Sequence, residues 1–120
     1  MEEKRHYAVI DNYNRKLTLK YLDEVIAEST NALIVKEVGK GVYDPVFYIP
    51  KENVLIKLES EPNRQSHCPI KGDASYWNVK GDFTENYFAW SYEDALPRAK
   101  KINGYIAFNM DYITIISAPI

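Results

Sequence analysis

Apolar and polar residues alternate with a period of two through Lys16-Leu17-Thr18-Leu19-Lys20-Tyr21-Leu22. That spacing places Leu17, Leu19 and Tyr21 on one face of a half-buried strand. A tight connection at Asp23-Glu24 leads into Val25-Ile26-Ala27 and predicts a hairpin, and Ala32-Leu33-Ile34-Val35 follows a polar Ser29-Thr30-Asn31 corner. Gly39-Lys40-Gly41 and Asp44-Pro45 bracket a loop before Val46-Phe47-Tyr48-Ile49, a strand that Pro50 ends because it has no N–H to donate. Val54–Leu58 is the next predicted strand, Glu59–Gln65 a polar surface loop, and Gly72-Asp73 and Gly81-Asp82 are turns flanking Tyr76–Val79. Asn86–Tyr92 reads as a strand with Phe88, Trp90 and Tyr92 on one side, and Tyr105–Phe108 and Tyr112–Ile116 close the chain.

One short helix is predicted near residues 94–102. Asp94 would cap it, Pro97 falls in the first turn, Lys100 and Lys101 fill the last, and Asn103-Gly104 supplies a left-handed stop. About eight or nine short strands with one helix make a mainly β fold, whether barrel, sandwich or tent-like. The 120 residues form a single domain, 1–120. Folding such a chain buries roughly two thirds of its surface, so a core needs no metal or disulfide to hold it.

Composition removes several classes of function. A net charge of −2 and a pI near 5.7 exclude the basic footprint of a nucleic-acid binder, so no nucleic-acid partner is expected. The clusters Lys4-Arg5-His6 and Arg98/Lys100/Lys101 read as solvated surface. A lone cysteine, Cys68, allows no intrachain disulfide and fits a reducing compartment. No apolar run approaches the length of about 18 residues that a spanning helix needs, so no membrane association is expected and the protein is read as cytoplasmic.

Reactive residue types concentrate in His67-Cys68-Pro69-Ile70-Lys71-Gly72-Asp73-Ala74-Ser75-Tyr76-Trp77. A Cys/His nucleophile pair needs the imidazole within reach of the thiol, but adjacent residues of an extended chain point to opposite faces. Cys68 therefore reads as an inert packed thiol. His6, His67 and Cys68 have no ligand spacing, so no metal is expected; no phosphate-cradling glycine loop is present, and no cofactor is expected. Lys71 has two readings: a loop-tip lysine paired with Asp73, or a cation among rings that contacts an anion or carbonyl and, if desolvated, titrates low enough to act as a base. Ten of the sixteen aromatic residues lie between Tyr76 and Tyr112, enough to build both a core and a pocket wall.

The segment His67-Cys68-Pro69-Ile70-Lys71-Gly72, followed by Ala74 and Tyr76, resembles the His-Cys-Pro-Tyr-Lys-Gly signature of the domain of unknown function 427 family. Pro45-Val46-Phe47-Tyr48-Ile49-Pro50, Val25–Ser29, Ala89–Asp94 and Ile102–Phe108 resemble further blocks of that family, so the resemblance runs from about Leu17 to Phe108. It implies a small, mainly β unit with no established activity or cofactor. The family is labelled nucleotidyltransferase-like, but this chain has no Gly-Ser followed by an Asp-x-Asp pair to hold metal ions against a triphosphate. Ile70 stands where the family has tyrosine, and Asn109-Met110 where it has an aromatic pair.

From these residues we expect a small-molecule site where the His67–Trp77 segment meets the Phe88/Trp90/Tyr92 face. Its ligand-binding candidates are His67, Lys71, Tyr76, Trp90 and Tyr92, and His67 is the natural acid or base if the domain is an enzyme. The alternative is a non-catalytic interaction or self-association module, such as a homodimer joined through the aromatic face.

Overall fold

A computed structural model of the chain describes residues 7–39, 41–79 and 87–120. Its strands are β1 (Tyr7–Asn12), β2 (Lys16–Tyr21), β3 (Glu24–Ser29), β4 (Leu33–Val38), β5 (Val46–Pro50), β6 (Leu58–Cys68), β7 (Gly72–Val79), β8 (Ala89–Ser91), β9 (Tyr105–Phe108) and β10 (Thr114–Ala118). Seven of them form one sheet in the order β1-β4-β5-β9-β8-β7-β6, and β10-β2-β3 form a second. Every ladder is antiparallel. Neither order closes on itself, so the fold is mainly β and open rather than a closed barrel.

The alternation in β2 places Leu17 and Leu19 between the sheets, where they pack with Ile26, Ile49, Phe88, Ile106 and Phe108. A second core lies on the other face of the large sheet, where Leu33, Val35, Tyr48, Tyr92 and Ala107 meet Ala95, Ala99 and Ile102. The central strands are thus buried on both sides: Tyr48 joins one core and Ile49 the other, and Ala107 and Ile106 divide the same way. This accounts for the unbroken apolar runs of β5 and β9, since a strand covered on both faces has no reason to alternate.

Several expectations need correction. Ten strands are present among the described residues, because Tyr7–Asn12 pairs with β4. Val54–Leu58 is not a strand: the chain turns through a 3-10 segment at Lys51–Asn53, Val54 makes an isolated bridge to Ala27, and the ladder resumes at Leu58. Glu59–Gln65 is not a free loop but part of β6, an edge strand, and charged residues are what edges carry to resist pairing with other chains. The predicted helix is a 3-10 segment, Pro97–Ile102, whose N-cap position is Leu96 and not Asp94. The segment kinks at Ala99, whose backbone is non-helical, and buries Ala99 and Ile102. The last strand begins at Thr114 and not Tyr112. Phe88 precedes β8 and packs in the first core, whereas Trp90 and Tyr92 face the second, so the three rings do not share a side. The turn expected at Gly81-Asp82 and the strand start at Asn86 lie outside the described residues.

The β2–β3 hairpin turns on Leu22 and Asp23, both with positive φ (50° and 65°). Such primed turns favour Asn and Gly, while a leucine there pays for its Cβ and is 77% exposed in return. Leu22→Asn is therefore expected to raise stability by about 0.5–1 kcal/mol, read as a higher urea midpoint at unchanged slope; a lower midpoint would refute the turn geometry.

Candidate functional site

The turn from β6 into β7 holds Lys71 against the second core. Its backbone carbonyl accepts the Leu96 N–H at 2.9 Å, and its Nζ donates to Glu37 Oε1 at 2.5 Å. Both side chains are largely covered, at 12% and 16% exposure. The ammonium also lies 5.5 Å from the centre of the Tyr92 ring, a cation–π contact. Nearby, Trp90 Nε1–H donates to the Tyr48 hydroxyl at 3.2 Å, and Cys68, a free thiol, packs on the same core.

Burial pulls the Lys71 ammonium down, but attraction to the Tyr48 oxygen and to the Glu37 carboxylate outweighs it, and its pKa is raised. Burial pushes the phenols of Tyr48 and Tyr92 up as well. Lys71 is accordingly a held cation and not a free base or amine nucleophile. Its partner is Glu37 rather than the expected Asp73.

Asp73 instead pairs with His67, Nδ1 to Oδ1 at 2.8 Å, with both side chains mostly in solvent. Register explains the separation: His67 opposes Asp73, Cys68 opposes Gly72 and Ser66 opposes Ala74, so His67 and Asp73 project from the face opposite Cys68 and Ala74. The structure thus brings together Lys71, Tyr76, Trp90 and Tyr92 around the second core, and puts His67 away from Lys71, Trp90 and Tyr92.

A groove of about 620 Å³ opens beside this hairpin, lined by Glu61, Arg64, Ser66, His67, Asp73 and Tyr76 among others. It exists because β6 is irregular: Ser60 pairs with Trp77 and Gln65 with Ser75, so the residues from Glu61 to Arg64 arch away opposite Tyr76 alone. The arch carries Arg64 over the rings of Tyr76 and Tyr87, at 5.9 and 5.6 Å. Its Nε faces Glu61 Oε2 at 3.5 Å, and neither buried atom makes a hydrogen bond among the described residues. The Ser66 and Tyr76 hydroxyls share a 2.6 Å hydrogen bond. Tyr76, Tyr87 and Trp90 pack ring to ring at 4.9 and 5.5 Å, which links the groove wall to the buried cluster.

Reading residues 59–65 as a solvated loop hides Glu61 and Arg64; the available signal is the period-two spacing of Arg64, Ser66 and Cys68. A further polar chain lies on the first-core side. Trp77 Nε1–H donates to Ser91 Oγ at 2.9 Å, Ser91 Oγ–H donates to Glu93 Oε2 at 2.5 Å, and Glu93 Oε1 pairs with Lys51. Burial raises the Glu93 carboxyl, but the Lys51 and Ser91 hydrogen bonds outweigh it and its pKa is lowered. Among the described residues no three His, Cys, Asp or Glu side chains group as metal ligands, and no helix is long and apolar enough to cross a membrane.

A family model described as a domain of unknown function (DUF427) matches residues 9–118. No curated protein matches the chain.

Proposed function

We propose, from the premise that the chain belongs to the domain of unknown function 427 family, that it is a cytoplasmic small-molecule-binding domain whose ligand occupies the groove between the β6 arch and β7. The observation that carries this reading is the groove's own chemistry: the buried Arg64 Nε and Glu61 Oε2 stand 3.5 Å apart as an ion pair without a hydrogen bond, beside the His67–Asp73 pair and the Tyr76 ring. An arginine held across two rings keeps its direction, so its donors are aimed before a ligand arrives. The Arg64 guanidinium and the Glu61 and Asp73 carboxylates give the groove both donors and acceptors, which suits a polar molecule offering both acceptors and donors. With Nδ1–H given to Asp73, neutral His67 presents Nε2 as an acceptor and is the group placed to take a proton from such a ligand. A reducing cytoplasm agrees with Cys68 being the only cysteine of the chain. Lys71, Trp90 and Tyr92 then act from behind, by fixing the wall on which Tyr76 sits.

Thermal-shift screening of small polar metabolites against the parent, Arg64→Ala and His67→Ala tests the assignment. Compounds that raise the parent's melting temperature are expected to lose most of that shift on Arg64→Ala and part of it on His67→Ala. Equal shifts on all three proteins, or none on the parent, would overturn it.

One observation favours the self-association reading. β1 is an edge of the large sheet, and its Tyr7 and Val9 are exposed at 47% and 45%. Sedimentation of the parent and of Val9→Lys separates the cases: a concentration-dependent dimer abolished by Val9→Lys supports the edge, and a monomer at every concentration removes it.

A further inference from the structure

Between Pro50 and Leu58 the chain leaves the ladder, and what it leaves behind is a cleft. Val54, Ile56 and Leu58, spaced two apart, are half-buried against the first core, while Leu55 between them is 63% exposed. The three stand off Trp77 and Ile106 and border an open cleft of about 190 Å³, with Lys51 at the rim. No lining residue is shared with the groove at Arg64 and His67. A cavity of roughly 150 Å³ accommodates benzene, so this one has room for a six-membered ring with a short substituent.

The polar rim decides what the substituent is. The indole nitrogen is spent on Ser91, both Glu93 oxygens are engaged by Ser91 and Lys51, and Lys51 is held 5.6 Å from the centre of the Trp77 ring. An ammonium has three N–H donors, and Glu93 Oε1 takes one. Lys51 therefore offers a donor at the mouth of an apolar cleft whose local charge Glu93 has already cancelled. A carboxylate ligand would meet the Glu93 oxygens beside Lys51, and a cationic one would meet Lys51 itself. We propose that this cleft is a second ligand site, taking a small uncharged ring compound that lays its ring on Trp77 and its carbonyl oxygen on the Lys51 ammonium.

Benzamide, benzoate and benzylammonium form a matched set of probes, to be titrated into the ¹⁵N-labelled full chain. The two indole N–H resonances are assigned with Trp90→Phe. Benzamide is expected to move the Trp77 indole signal and the Val54, Ile56 and Leu58 amides along one saturable curve. Benzoate and benzylammonium should need at least tenfold more ligand for the same shift, and Lys51→Met, which leaves the Glu93 carboxylate without its cation, should turn the preference toward benzylammonium while benzoate stays weak. Equal response to the three probes, no saturable change at the Trp77 indole, or shifts at Arg64 and His67 instead would each overturn the proposal. The last outcome would leave the groove reading standing, and failure of the metabolite screen at Arg64 leaves the cleft untouched. Because the probe series is read on the unmodified protein, a variant that fails to fold does not blunt the test.

Discussion

Glu37→Leu is expected to lower the free energy of unfolding by about 3–5 kcal/mol, the largest loss from any single polar change considered, because it strands a covered ammonium without its partner. Glu37 sits on β4 and Lys71 in the turn after β6, so their 2.5 Å contact ties one half of the large sheet to the signature turn. The double variant Lys71→Met/Glu37→Leu, which replaces both charges by apolar groups of similar reach, should recover to within about 1 kcal/mol of the parent. Denaturant titration of the parent, both single variants and the double variant closes the cycle. The alkaline limb gives a second readout. The folded pKa of Lys71 is raised above its ordinary 10.5 and that of Tyr48 above 10.0. In each case the folded state keeps a proton that the unfolded chain gives up. The stabilisation is fully present below about pH 10 and drains away as pH climbs toward the folded values. The double variant should show a shallower fall above pH 10 than the parent. If Glu37→Leu proves as stable as the parent, the Lys71 ammonium is hydrated, and Lys71 returns as a direct ligand contact.

Where local pattern decides structure, the sequence was legible. The alternation of β2 requires only that one face be wet, and Leu17 and Leu19 are buried as it predicts. The parity argument separating His67 from Cys68 also holds, since it needs nothing beyond an extended backbone. Pattern fails where a distant element supplies the environment. Charged Glu59, Glu61 and Arg64 suit a loop and an edge strand equally, and only the position of β7 decides between them. Val54–Leu58 has the composition of a strand, yet β3 captures Val54 and Leu55 with one bridge and one 2.8 Å hydrogen bond and turns the segment aside. Phe88 lies one residue before β8, where the backbone is irregular, and period two misassigns it. At the candidate site, Lys71, Tyr76, Trp90 and Tyr92 lie together around the second core, while His67 projects from the other face of the hairpin. Glu37 was out of reach: it lies 34 residues from Lys71, and no local spacing marks it. The 61–64 arch was equally hidden, because four residues opposing one is a property of the pairing and not of either strand.

Gly72→Ala carries the second large effect, about 2–3 kcal/mol, and for a reason that separates it from the other glycines. Gly72 has a φ of +107°, and a Cβ there would lie 3.4 Å from the Leu96 backbone nitrogen and 3.5 Å from both the Asp94 carbonyl oxygen and Leu96 Cγ. Backbone strain alone costs about 1–3 kcal/mol for a side chain in such a conformation. The cost falls at the upper end because +107° lies well outside the left-handed well near +60° that other residues can reach, while the Leu96 and Asp94 atoms stand at ordinary van der Waals distance. Gly104 supplies the control: its φ is +81°, but nothing stands within 4 Å of a Cβ. Gly104→Ala should therefore cost the strain alone, about 1 kcal/mol. The same strain links Gly72 to the ion pair. A backbone shift that relieves it moves the neighbouring Lys71, whose carbonyl accepts the Leu96 N–H, beneath Glu37, so Gly72→Ala and Glu37→Leu should fail to add by at least about 0.5 kcal/mol. Urea denaturation of Gly72→Ala, Gly104→Ala and the Gly72→Ala/Glu37→Leu pair measures all three quantities. Equal costs at the two glycines would show that the wider φ of Gly72 carries no extra strain, and strict additivity with Glu37→Leu would show that Lys71 holds its place when the turn shifts.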